Sequence, residues 1–256
     1  MTTVEIADEK TMRDLTAFTS LAHRLDRDGA MRLQVVSNVL VLTVAPLFPH
    51  GIGDSTPLVL AMRMQRLERP ELDGLDEVVP LSALTDRFAR AENGSTLPLP
   101  PTTALVSWAG IAPPRGPWER TDTIDAGLLR STAEAGIAEV GAGTPDGAGS
   151  HAVKALRARV WSRPVEAVGG TAIPSGLAFA AEGLRFLPQG TGPGTAGSGS
   201  ASSGSAGEGS TGEGSASSGS VDEGSADPRT EVAVMESSGW MRLVTPGGHL
   251  LTRSAG

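Results

Sequence analysis

The first third of the chain changes from a helical to a strand-like hydrophobic period. In residues 11–26 apolar side chains recur every three or four positions, which predicts an amphipathic helix that ends before Gly29. Apolar and polar residues then alternate in residues 31–35, and residues 39–45 are apolar on both faces. These patterns predict an N-terminal helix followed by an antiparallel β-meander whose second strand is central.

The third strand of this meander is predicted in residues 58–65. Arg63 and Gln65 face one way, and the other face carries two leucines and two methionines, Leu58, Leu60, Met62 and Met64. A short strand at residues 77–79 and a helix at residues 82–90 follow, and Ser82 can cap this helix.

Residues 92–117 are rich in Pro and lack a hydrophobic period. Because Pro cannot donate a backbone hydrogen bond, this composition disfavours both helix and central strand. We predict an extended connector that packs Leu105, Val106 and Trp108 onto the core.

Three more helices are predicted between the connector and residue 187. Residues 125–140 and 150–162 have helical spacing, and residues 174–187 are apolar almost all round, which indicates a buried helix. Four side chains of the first of these helices are expected to point inward: Leu128, Leu129, Ala135 and Ile137.

Residues 231–252 alternate again and predict a final meander, with turns at Ser238-Gly239 and at Pro246-Gly247-Gly248. So short a sheet is not stable alone in water. We therefore expect it to dock on the helices that end at Ser162 and Leu187, covering them with three apolar side chains, Trp240, Leu243 and Leu250.

A Gly/Ser tract separates this meander from the helices. Residues 190–228 contain 12 Gly and 11 Ser, and their charged residues are five acids with no Lys or Arg. Such a composition buries too little apolar surface to fold, so we predict a disordered linker inserted within one folding unit.

The predicted fold class is therefore α+β: an N-terminal helix plus an antiparallel meander, then a helical C-terminal part with a final docked β-meander. The predicted boundaries are 1–92 for the helix and meander, 93–117 for the connector, 118–189 for the helical part, 190–228 for the linker and 229–256 for the meander that docks back on 118–189.

Composition narrows the classes of function. The chain has 21 Lys and Arg against 29 Asp and Glu, and five of the excess acids lie in the Gly/Ser tract, so the remainder is close to neutral. The absence of Cys excludes disulfides, thiolate nucleophiles and Cys-ligated metals. The longest apolar run, residues 39–48, is half a membrane span, and the first residues do not resemble a signal peptide. We expect a soluble cytoplasmic protein that does not bind a membrane.

The helix predicted at residues 150–163 is the first candidate site. It lacks acids and carries four basic residues and a tryptophan: Lys154, Arg157, Arg159, Trp161 and Arg163. Four positive charges could neutralise phosphates. Alternatively, this is a solvated face whose arginines pair with acids such as Glu134 and Glu139 of the preceding helix.

The loop at residues 50–56 is the second candidate site. His50, Asp54 and Ser55 place a potential base, a carboxylate and a hydroxyl on a glycine-rich connection whose backbone amides could hold an anion. A loop of this length also needs Gly and Asp simply to turn. The other histidines lack metal-ligand spacing, so no metal and no cofactor is expected.

Three segments carry a resemblance to other proteins: residues 160–164 (VWSRP), 173–182 (IPSGLAFAAE) and 239–249 (GWMRLVTPGGH). With the opening helix and meander, they resemble uncharacterised proteins of high-GC actinobacteria. A GC-rich coding sequence also fits the basic residues, because 19 of the 21 are Arg. The resemblance implies no activity and no site residue.

The leading interpretation is a non-catalytic cytoplasmic protein-binding or regulatory module whose partner is another protein. Two alternatives stay open. One is a small-molecule enzyme that uses the 50–56 loop, and the other is a nucleic-acid-binding regulator that uses the basic helix at residues 150–163.

Overall fold

The computed structural model describes residues 2–67, 72–90, 95–144, 149–188 and 230–254. Five α-helices lie within these ranges: α1 (Glu9–Leu25), α2 (Leu81–Arg90), α3 (Ala126–Ala142), α4 (Ser150–Trp161) and α5 (Gly176–Gly183). The strands of the same ranges are β1 (Thr3–Glu5), β2 (Ala30–Val36), β3 (Val39–Leu47), β4 (Val59–Arg66), β5 (Asp76–Pro80), β6 (Thr96–Pro98), β7 (Glu119–Asp125), β8 (Pro164–Glu166), β9 (Ala172–Pro174), β10 (Glu231–Ser237), β11 (Trp240–Thr245) and β12 (Gly248–Arg253). The α+β class, with its N-terminal helix and final meander, confirms the sequence prediction.

One antiparallel sheet organises the molecule. Its eight strands lie in the order β5-β2-β3-β4-β12-β11-β10-β7. Strands β2–β5 make one half, and β7 with the meander β10–β12 makes the other. The halves join where β12 pairs with β4, in a register that sets His249 opposite Met62 and Leu251 opposite Leu60. The final meander is thus central in the sheet.

Helices cover one face of the sheet, which we call the helix-covered face. The large core there combines Phe18 of α1 and Leu177 of α5 with inward residues of the strands, such as Leu33, Leu42 and Leu250. Residues 176–181 of α5 are all buried, as their nearly uniform apolar character predicts. Packing against a sheet, rather than intrinsic propensity, stabilises so short a helix.

Arg63 of β4 lies on this helix-covered side. Its guanidinium lies 5.7 Å from the ring centre of Phe18 and 5.9 Å from that of Phe186. The same group donates hydrogen bonds to the carbonyl oxygens of Asp14 and Gly247. The side chains of β4 therefore alternate as predicted. The face that carries Leu60, Met62 and Met64 is the one turned away from the helices.

The final meander differs from prediction in the direction of one residue. Leu243 and Leu250 join the helix-covered core, whereas Trp240 packs on the opposite face beside Leu251 and Trp108. The reason is that β11 is buried on both faces, with an apolar cover on each, so alternation alone does not tell which side the helices occupy.

The inward face of α3 also differs from prediction. Of the four expected residues only Leu129 is buried, while Leu128 and Ile137 are 43% and 49% exposed. The buried positions also include Ala133 and Gly136. Small residues face inward because α3 packs closely: a Cβ added at Gly136 would lie 2.4 Å from the ring of Trp161.

The first part of the Pro-rich connector forms β6, which pairs with β1 and places Leu97 in the helix-covered core. From Ala104, whose amide donates to the carbonyl of Val78, the connector crosses the second face of the sheet, which we call the open face, and it ends at β7. Trp108 is 3% exposed and packs with residues of β2, β3, β4, β11 and β12. Leu105, in contrast, is fully exposed rather than packed on the core.

The predicted linker at residues 190–228 lies outside the described residues. The residues that flank the gap, Pro188 and Thr230, both form hydrogen bonds to α3. The carbonyl of Pro188 accepts a hydrogen bond from Arg130 Nη2 (3.0 Å), and the carbonyl of Thr230 accepts one from the amide of Ala126 (2.8 Å). Ala126 and Arg130 are about one helical turn, ~6 Å, apart along α3. Both flanks therefore meet the start of the same helix.

Deleting residues 194–222 is expected to leave the melting temperature unchanged or to raise it by at most about 4 °C. The twelve residues left between Pro188 and Thr230 reach up to roughly 40 Å when extended, and shortening a loop changes its closure free energy slowly. Differential scanning calorimetry of the deletion and the full chain measures this. A loss of the cooperative transition would contradict the predicted linker.

Candidate functional site

The first predicted site comprises residues of α4 and Arg163, the second residue after that helix, and part of it already makes contacts within the protein. Arg163 forms a bidentate pair with Glu139 of α3, including a 2.7 Å bond from Nη2 to Oε1, and this hydrogen bonding lowers the pKa of Glu139. Trp161 is 1% exposed, and its ring centre lies 4.6 Å from that of Phe179. The pair between Arg163 and Glu139 is the one that the sequence predicts if this helix face is solvated and binds no ligand.

The other basic residues of α4 keep access to solvent. Lys154 and Arg159 are exposed, and the guanidinium of Arg157 lies 5.9 Å from the Phe179 ring centre. These three positions, rather than Trp161, would contact a nucleic acid. That this helix binds a ligand stays a prediction.

In the second predicted site, Asp54 bonds to its own loop. One carboxylate oxygen accepts from the amide of His50 (2.9 Å), and the other accepts from the amide and hydroxyl of Thr56 (2.9 and 2.6 Å). These bonds, first that from the His50 amide, lower the pKa of Asp54 to about 2. The carbonyl of Ser55 accepts a bond from Ser162 Oγ, which joins this loop to the end of α4. Asp54 thus stabilises the turn, and catalysis there stays a prediction.

A groove on the open face is a third site, which the sequence did not reveal. It has a volume of about 390 Å³ and lies beside the connector. Eighteen residues line it: Arg32, Gln34, Val36, Val39, Val41, Thr43, Met62, Met64, Trp108, Ile111, Ala112, Pro113, Pro114, Arg115, Trp118, Arg242, His249 and Leu251. We call it the open-face groove.

Strand register explains why these side chains share one face. Arg32 of β2 is opposite Thr43 of β3, which is opposite Met62 of β4 and then His249 of β12. A second row, two residues along, joins Gln34, Val41 and Met64. Because residues i and i+2 of a strand face the same side, the two rows form one continuous floor.

The groove is apolar with a basic lining. Its eighteen lining residues include three Arg and one His but no Asp or Glu, although the whole chain has a net charge of −8. Arg32 has its own partners, since Nε and Nη2 each lie 2.7 Å from a carboxylate oxygen of Asp76, and Nη1 donates to the carbonyl of Ala109. Arg32 therefore fixes the connector to β2 and β5.

Arg242 of β11 has no such carboxylate. Its guanidinium carbon lies 4.5 Å from the ring centre of Trp118, and Nη2 contacts Met235 Sδ at 3.1 Å. Its Nε is buried and makes no hydrogen bond within the described residues. Desolvation by burial lowers the pKa of Arg242, which marks a charged group that has lost water without gaining an acid.

His249 of β12, like Arg242, has a buried nitrogen that lacks a hydrogen bond within the part of the chain that the structure describes. Its Nδ1 is buried and has no hydrogen-bond partner among the described residues. Desolvation, and then the positive charge of Arg242, lower the pKa of His249. Three buried side-chain nitrogens of the described residues have no hydrogen bond, and two of them, Arg242 Nε and His249 Nδ1, belong to side chains that line the open-face groove; the third is Nε1 of Trp161.

Sequence reasoning missed this groove because its residues come from five strands and the connector. One available signal was Arg242, a charged residue between two apolar ones in a short alternating strand. Its neighbours across the sheet, however, depend on the pairing of β12 with β4, which joins residues nearly 190 positions apart. No local pattern encodes that pairing.

The fold and the groove define an α+β protein with one eight-stranded sheet. Helices cover one face of this sheet, and the connector covers part of the other. The chain belongs to the family described as Domain of unknown function (DUF8185), whose model matches residues 113–256. Residues 1–110 match a second family, Domain of unknown function (DUF8010). Each matched region contributes four strands to the sheet, and the boundary between them lies in the connector. No curated protein matches the chain.

Among the described residues, no helix is long and apolar enough to cross a membrane. Within the same residues, no group of three or more His, Asp or Glu side chains is placed to hold a metal ion.

Proposed function

We propose that this protein is a non-catalytic binding module, acting in the cytoplasm of a high-GC actinobacterium, that holds a segment of another protein in the open-face groove. The observation that carries the proposal is the apolar floor left uncovered beside the connector. Val36 and Met64 are 37% and 49% exposed on this floor. Exposed apolar surface that lies in one groove is typical of an interaction site.

The dimensions of the groove fit a polypeptide segment. It crosses five adjacent strands, from β2 to β11, which corresponds to roughly 19 Å at the usual strand spacing. An extended segment of about six residues has that length. Two methionines on the floor, Met62 and Met64, can adapt to the side chains of such a segment. The Cys-free sequence and the preference for Arg over Lys support the proposed compartment and source.

Photo-crosslinking in the native cell tests the proposal. A benzophenone amino acid at position 36, in the groove, is expected to capture one partner protein. The same amino acid at position 52 is the control, because Ile52 is fully exposed outside the groove. Equal capture at both positions, or capture of only small molecules at position 36, would overturn the proposal.

The captured protein is then purified and its affinity measured by calorimetry. Met64→Glu is expected to weaken the complex at least about tenfold, because a charge placed in an apolar contact must lose water. Ile137→Glu is the matched control, because Ile137 is 49% exposed like Met64 but lies on α3. An unchanged Kd in Met64→Glu would show that the partner binds elsewhere.

A further inference from the structure

Arg242 differs from the acid-paired arginines of this protein. Arg32 pairs with Asp76, Arg130 with Glu182 and Arg163 with Glu139. Arg242 instead stacks on Trp118 and contacts a methionine sulfur, with Nε buried and unbonded within the described residues. A desolvated charge without an acidic partner costs stability, so a purely structural explanation of Arg242 is weak.

The second orphaned group lies in the same groove. His249 sits on β12, next to β11, and its Nδ1 is also buried without a hydrogen bond. Its diagonal cross-strand relation to Arg242 places both side chains on the open face. A carboxylate in the groove could accept from the guanidinium of Arg242 and, where a ring nitrogen carries a proton, from His249, because both side chains line the groove. Arginine matches the two oxygens of a carboxylate in geometry as well as charge.

We propose that Arg242 and His249 form a subsite for the side-chain carboxylate of an Asp or Glu within the bound partner segment. This inference rests on the proposed function. Charge complementarity argues for an acidic occupant, because Arg242 has no acidic partner among the described residues and the groove lining contains no Asp or Glu. The rest of the floor, around Val41 and Met64, would take the apolar side chains that flank the acid.

Selection from a random peptide library tests the subsite. Ten-residue peptides with amidated C-termini are displayed and selected on the full-length protein. Selected sequences are expected to carry one Asp or Glu flanked by apolar residues. Selection on Arg242→Gln should keep the apolar preference and lose the acidic one, and Met64→Glu should lose enrichment altogether.

A double-substitution cycle then measures the pair directly. The best selected peptide is synthesised with Glu or Gln (Asp or Asn) at the acidic position. Loss of the acid, or Arg242→Gln, should each weaken binding roughly tenfold to a hundredfold, as expected for a charge-assisted hydrogen bond. Making both changes should cost little more than one, because they remove the same contact.

The thermal stability of the free protein separates this role from a structural one. Arg242→Gln should leave the melting temperature unchanged or raise it, because it removes an unpaired, desolvated charge. A structural arginine would give a clear decrease, which would count against the subsite.

The remaining outcomes distinguish failure of the carboxylate subsite from failure of the proposed peptide-binding groove. Apolar enrichment without an acidic preference, or an acidic preference that survives in Arg242→Gln, overturns the subsite and leaves the groove standing. Enrichment that requires a free C-terminus in a second library assigns the carboxylate to a chain end and also overturns it. No enrichment on the wild type, or equal enrichment on Met64→Glu, overturns the proposed function itself.

Discussion

A chain cut after residue 190 is expected to lose cooperative folding and to aggregate. The cut removes β10, β11 and β12, three neighbouring strands that join β4 to β7. Seven large apolar side chains leave the two cores with them: Val232, Val234, Met241, Leu243 and Leu250 from the helix-covered face, and Trp240 and Leu251 from the open face.

The expected loss of burial free energy is large enough to unfold a domain. Burying one such side chain contributes about 1.5–3 kcal/mol, so all seven together are comparable to a whole free energy of unfolding of roughly 5–15 kcal/mol. Urea unfolding followed by circular dichroism measures the loss. Adding residues 229–256 as a separate peptide should restore part of the transition. If residues 1–190 stay monomeric with an unshifted transition, the meander is an appendage and not part of the sheet.

Gly136→Ala is expected to destabilise the protein by about 1–3 kcal/mol. Alanine favours a helix over glycine by roughly 0.5–1 kcal/mol, so the substitution would stabilise α3 if nothing opposed it. The new Cβ, however, would lie 2.4 and 2.6 Å from two ring atoms of Trp161. Because Trp161 is itself buried against Phe179, the ring has little room to move, and overpacking outweighs helix propensity.

Gly141→Ala is the matched control in the same helix. Apart from neighbouring backbone of the same helix, no atom lies within 4 Å of the Cβ that it would add, so a gain of about 0.5–1 kcal/mol is expected there. Trp161→Phe in the Gly136→Ala background should recover part of the loss, because a smaller ring relieves the contact. Chemical denaturation of these three variants and of the wild type measures the free energies of unfolding. The same sign of effect at both glycines would refute close packing as the cause.

The sequence predicts those elements whose hydrophobic period is strong. Helix α1 and the strands of both meanders lie within a few residues of prediction, because each has at least one face in contact with a core. Strand β7 was missed because Ile124 is its one buried residue in an otherwise polar stretch at the edge of the sheet. The period of an edge strand is weak because one neighbour is missing and little of its surface is covered.

For the candidate sites, the sequence points to residues that cluster along the chain and misses residues that only the fold brings together. The basic residues of α4 and the loop around Asp54 are conspicuous because they cluster along the chain, and the structure bonds Arg163 and Asp54 to neighbouring groups. Arg242 and His249 are inconspicuous because their environment comes from strand pairing and from a connector that crosses the sheet. Alternation predicts that two residues share a face, but it does not predict whether helices, a connector or solvent covers that face.

The position of β12 has a consequence for synthesis on the ribosome. Among the eight strands of the sheet it is the last along the chain, yet it lies in the middle. Strand β4 ends at Arg66, so about 180 residues must be added before its partner emerges. At ordinary translation rates this takes roughly 10–40 s. Throughout that interval the nascent chain carries an unpaired apolar strand edge, the segment most open to pairing with a neighbouring nascent chain.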